Sequence, residues 1–167
     1  MGPRAKGNLA TYLNDHLAGS VVAIELMEHL EKVHAGSELA TKLSEIRAEI
    51  LRDRGELEAI MHRQRIEQSS TRKVMAWLSE KFAEIKLGLD DPAGGSLHLL
   101  EALEAVAVGI DGKRALWRAL NAAQIDALSD TDLQRLDQRA LHQRGEMELL
   151  RLKAAEKALR DIDDLRR

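Results

Sequence analysis

Apolar residues recur three and four positions apart through four long stretches of this chain, a period that a helix satisfies and a strand does not. In the first stretch Leu9, Leu13, Leu17, Ser20, Ala23, Ile24, Met27 and Leu30 share one side of a helix that advances about 100° per residue. His16 falls in the middle of that stripe, while Thr11, Asn14, Glu25, His29 and Lys32 lie opposite. Between residues 17 and 27 the helix is apolar on nearly every side apart from Glu25, which predicts a second covering surface, either the connecting segment or another subunit. Aromatic residues make up only 2% of the chain and there are two prolines, so an all-β reading has almost no support.

Breaks between the stretches set the element order. Residues 1–7, with two glycines and a proline, read as a disordered tail, leaving 8–167 as one helical domain. Asn8 is placed to cap a helix over residues 9–33. Gly36 suits the end of that helix and Ser37 the start of the next, which is expected over 38–68 with Leu39, Leu43, Ile46, Ile50, Leu57, Ile60 and Met61 on one stripe. Asp53 interrupts that stripe. A crossover segment, 69–95, carries a short amphipathic helix over 72–87 and then a loop rich in Gly, Asp and Pro. The third long helix is expected over 96–123, with Gly109 and Gly112 marking a bend or close backbone contact, and the fourth over 131–160. Short links one-to-two and three-to-four make antiparallel neighbours, and the long middle connection lets helix three run parallel to helix two. An up-down bundle with a long loop is the other arrangement this spacing permits.

Several functional classes lack a basis. Cysteine is absent, which removes thiol catalysis and thiolate metal sites and fits a reducing, cytoplasmic setting. Lys and Arg (25) nearly balance Asp and Glu (28) and alternate with them along the helices, so no nucleic-acid footprint is expected. No apolar run approaches the length of a membrane span, and the start lacks a signal-peptide core. Gly109 to Lys113 has neither the glycine spacing nor the preceding strand of a phosphate loop.

Two segments carry a family likeness: Tyr12-Leu13-Asn14-Asp15-His16-Leu17-Ala18-Gly19-Ser20 and Gly112-Lys113-Arg114-Ala115-Leu116-Trp117. With the order of helices they make the chain resemble the ferritin-like superfamily, in particular bacterial four-helix-bundle proteins of unknown function within it. Ferritin-like di-iron proteins hold their metals with a Glu from each of two helices and a Glu-x-x-His pair from each of the others. The one Glu-x-x-His here, Glu31 to His34, falls at a helix end rather than in the middle of the bundle.

Folding helices one and two about residue 35 brings His16 level with Asp53, and matching the starts of helices two and three brings Lys113 to the same level. Folding three onto four about residue 128 adds Arg144. His16, Asp53, Lys113 and Arg144 are therefore expected in one buried polar layer, with Glu49 and Ser20 beside it. As a structural device such a network fixes helix register. As a functional one, Asp53 orients His16 as proton acceptor or ligand, and Lys113 and Arg144 bind an anion. The expected function is a structural or interaction module that self-associates, needing no cofactor. The alternative is a ferritin-like protein binding a small anion or Fe, Mn or Zn through His16, Asp53 and Glu25, Glu49 or Glu104.

Overall fold

The computed structural model describes residues 2–69 and 95–164. Its elements are α1 (Pro3–Val33), α2 (Glu38–Arg63), α3 (Gly95–Ala122), a 3₁₀ turn (Asp126–Leu128) and α4 (Leu133–Asp164). No strand occurs among the described residues, and no helix among them is long and apolar enough to cross a membrane. The short crossover helix expected over 72–87 lies outside the described residues.

Helix ends depart from expectation at two places, each for a local reason. Residues 3–7 belong to α1 and not to a tail: Pro3 stands at its first position, where a missing N–H costs nothing and the fixed φ already suits a helix. Asn8 is consequently inside the helix and caps nothing. α2 stops at Arg63, short of residue 68, because Arg65 takes φ 52° and the chain turns back so that the Ile66 N–H bonds the Met61 carbonyl at 2.9 Å. Ile66 is thereby buried. The link between α1 and α2 follows the sequence reading: Gly36 has φ 83°, and the Ser37 hydroxyl accepts from the Ala40 N–H at 3.1 Å.

Asn14, assigned to the polar face of α1 by its spacing, is 5% exposed. Its amide donates to the Ala10 and Glu67 carbonyls at 2.9 and 3.1 Å and accepts from the Ser69 N–H at 2.7 Å. The buried amide thus pins the chain leaving α2 against α1.

Ion pairs define the helix directions. The link between α1 and α2 is only residues 34–37, and Arg47 on one side of it reaches Glu28 and Glu31 on the other, so α1 and α2 are antiparallel. Arg114 to Asp137, Arg144 to Asp111 and Arg151 to Glu104 run in opposite senses along α3 and α4. Arg63 to Thr131, Glu56 to Arg135 and Asp53 to Arg139 do the same for α2 and α4. Two helices antiparallel to α4 are parallel to each other, so α2 and α3 run the same way and residues 69 and 95 lie at opposite ends of the bundle. α1 packs on α2 and α3, and α4 packs on α3 and α2.

The core is written in alternating steps of three and four. Leu43, Ile46, Ile50, Asp53, Leu57 and Ile60 of α2 are buried, as are Leu133, Leu136, Ala140, Gln143, Met147, Leu150 and Ala154 of α4. α3 repeats the pattern with Leu103, Val106, Ile110, Lys113, Trp117 and Leu120. That spacing packs side chains into the holes of a facing helix at shallow crossing angles. In each of these three helices one seam position is polar, and the three polar residues meet.

Candidate functional site

Asp53 is the centre of the layer, 1% exposed. Its Oδ1 accepts from the Arg139 guanidinium, with Nε at 2.6 Å. Its Oδ2 accepts from the Lys113 ammonium at 2.5 Å and from the Gln143 amide at 2.9 Å. Gln143 Oε1 in turn accepts a second Lys113 N–H, closing a three-membered ring of hydrogen bonds. Two cations share one buried carboxylate, with the charge of half-buried Glu49 also acting on Lys113. Burial pushes the Lys113 ammonium below the usual lysine range; Asp53 opposes that shift and Arg139 adds to it.

Facing this cluster, α1 presents Gly19, Ser20 and Ala23. These small side chains do not fill the space that seam residues occupy elsewhere. A cavity of about 650 Å³ results, bounded by α1, α2 and α3. At one side of it a Cβ on Gly109 of α3 would stand 3.9 Å from that of Ala23 of α1, an ordinary van der Waals contact. Val22, Leu26, Val106 and Leu116 make its walls apolar, and Asp53 and Lys113 also line it. Trp117 lines it too, and its indole N–H is buried without a hydrogen-bond partner among the described residues.

His16 lines the same cavity but makes no hydrogen bond to Asp53 or Lys113; its ring meets Tyr12 edge-on with centroids 4.7 Å apart. Burial holds its imidazole below the usual range, with the Asp15 carboxylate opposing. The expected pairing with Asp53 fails: both Asp53 oxygens are taken by Lys113, Gln143 and Arg139.

Arg144 is a second correction. It is partly exposed and pairs with Asp111 at 3.0 Å and Glu148 at 2.8 Å, on the outer edge between α3 and α4. The seam residue is its neighbour Gln143, fully buried, with Arg139 one turn earlier. The sequence holds a signal for Gln143: three residues on from Ala140 and four back from Met147, the alternation of the seam lands on 143. As an uncharged residue it did not stand out. Glu49, expected beside the layer, is half-buried and acts on Lys113 through its charge.

The metal alternative gains no donor set. Glu25 is exposed, and Glu104 is exposed and paired with Arg151 at 3.2 Å. Both Asp53 oxygens already accept from neighbours. Among the described residues no group of three or more His, Asp or Glu side chains is placed to hold an ion. As placed, His16, Glu25, Glu49, Asp53 and Glu104 do not fit one iron, manganese or zinc site.

What the arrangement offers is donors. Lys113 has three N–H groups and the two named partners use two, and Trp117 has one more. Compared with family models, with curated proteins and with solved structures, the chain matches none.

Proposed function

We propose that this chain is a binding module whose interhelical cavity takes a small, largely apolar molecule carrying an anionic, hydrogen-bond-accepting end. The observation that carries this reading is the cavity itself: apolar walls beside two cations that share one buried carboxylate, and donors without enough acceptors. The apolar body lies along Val22, Leu26 and Val106, and the acceptor end faces Lys113 and Trp117. Of the two uses of the polar layer, this reading keeps the small-anion one and sets the metal one aside. We also read the helix order as ferritin-like, a reading supported by the shared direction of α2 and α3. Self-association is a second role, supported by the exposed leucines of α4, Leu141, Leu149, Leu152 and Leu159.

Titration with decanoate and with decanol tests the cavity, read by Trp117 fluorescence in a Trp77→Phe background. Decanoate is expected to bind and decanol to bind more weakly. Ala105→Phe, which fills the cavity without adding a second tryptophan, abolishes both, and Lys113→Met removes a preference for the acid of roughly tenfold, the worth of one charge-assisted hydrogen bond. Binding that survives Ala105→Phe, or no binding of either probe, would overturn the proposal.

A further inference from the structure

The run Gly109-Ile110-Asp111-Gly112-Lys113 in α3 sets an amine against open, largely apolar space. Lys113 lines the cavity, and its side chain is 15% exposed. Gly112 beside it and Gly109 one turn earlier line the same wall without side chains, and a Cβ at Gly112 would meet nothing within 4 Å. Trp117, one turn later on the same face, brings its unpaired N–H to that wall. Lys6, Lys32, Lys42, Lys153 and Lys157 do not line the cavity.

Two circumstances turn a lysine amine into a nucleophile: removal from water and a neighbouring cation, since each disfavours the protonated form. Lys113 has both. Burial holds its ammonium below the usual lysine range; Asp53 opposes, the Arg139 guanidinium adds to the shift and Glu49 opposes. An ordinary lysine titrates at about 10.4 and is neutral in roughly one molecule in 2,500 at pH 7. The neutral fraction of Lys113 is larger.

We propose that Lys113 is a carbonyl-capturing amine, forming an imine with the aldehyde of a small, largely apolar molecule that lies in the cavity between α1, α2 and α3. The inference rests on the reading of that cavity as a ligand site and adds a covalent step to it. The nitrogen lone pair bonds the carbonyl carbon as the π pair moves to oxygen, where the Trp117 N–H supplies a donor for the developing charge. The C–O bond then breaks and the oxygen leaves as water. Two of the three ammonium protons depart in that water, by way of Asp53 Oδ2, and the third stays on the iminium nitrogen. No oxidant, reductant or net proton is needed. The iminium keeps its positive charge and one N–H, so Asp53 retains its cation, and the bond given up is the one to Gln143. Hydrolysis is the reverse step and needs water, which the walls of Val22, Leu26, Val106 and Leu116 disfavour.

Incubation of the full chain with decanal and cyanoborohydride at pH 7, followed by peptide mass mapping, tests the step. One decyl group on Lys113 is expected, formed roughly tenfold or more ahead of the other lysines because binding concentrates the aldehyde beside the amine. Excess decanoate should suppress it. Ala105→Phe should leave Lys113 unlabelled while the other lysines react as before. Lys113→Arg keeps a cation for Asp53 and should bind decanoate yet show no preferred decyl site; both variants should keep the helix content of the parent chain. Decanoate binding without preferential labelling of Lys113 overturns the imine and leaves the ligand site standing, whereas absence of both overturns the two together. Preferential labelling of Lys113 that persists in Ala105→Phe would also overturn the proposal.

Discussion

At the scale of single residues, Asp53 is held by donors it does not share with solvent, and each donor depends on it in return. Removing the carboxylate in Asp53→Ala leaves Lys113 and Arg139 as two half-buried cations with no counter-charge between them. Breaking a buried pair from one side costs about 3–5 kcal/mol, and urea unfolding of Asp53→Ala should show a loss of that size. Histidines give the acid side of stability its shape. The imidazoles of His16 and His34 are both held below the usual value of 6.5, burial being the first cause in each and Lys157 adding at His34. Below that value the unfolded chain binds more protons than the folded one, so stability rises with pH up to about 6.5 and falls on acidification. Melting temperature should therefore drop between pH 7 and 5, and less steeply in His16→Gln. A second decline follows below pH 4.5, because Arg151 and Arg144 hold the Glu148 carboxyl down to about 2.

At the scale of elements, the apolar periodicity made α2, α3 and α4 legible to within a few residues, since a seam of leucines and isoleucines has one way to face a core. Where a boundary depended on a single dihedral, spacing carried no signal: Pro3 started α1 early and the positive φ of Arg65 ended α2 early. Asp53 and Lys113 were legible as polar residues on apolar stripes. His16 lines the same cavity but does not join them, because Lys113, Gln143 and Arg139 take both Asp53 oxygens. Gln143 and Asn14 went unnoticed because neutral amides do not interrupt a charge or hydropathy pattern, although burial makes them depend on partners. Two glycines show how the same residue is read by its dihedrals. Gly36→Ala should destabilise by about 1–2 kcal/mol, the cost of a Cβ at positive φ. Gly55→Ala, on the exposed side of α2 with open space around it, should stabilise by about 0.5–1 kcal/mol. Thermal unfolding of the two variants checks both signs.

Across the whole molecule, the bundle is two antiparallel hairpins, α1 with α2 and α3 with α4, and the polar layer divides its charges between them. Every cation bound to Asp53 comes from the second hairpin: Lys113 from α3 and Arg139 from α4. The arginines of α2 that lie near Asp53 in sequence, Arg47 and Arg54, are engaged with Glu28, Glu31 and Glu58. Neither hairpin can bury its seam alone without burying uncompensated charge, which disfavours any half-folded form. Far-ultraviolet circular dichroism and tryptophan fluorescence should accordingly report one coincident unfolding transition. In the variant carrying Asp53→Leu, Lys113→Met and Arg139→Leu, the hairpins should exchange their amide hydrogens at separate rates. The layer recognises a hairpin by its charges, and those charges are the same whether the hairpin belongs to its own chain or to another. The bundle is therefore built in a way that permits domain swapping, with the choice between a closed monomer and an exchanged pair left to the connection between residues 69 and 95.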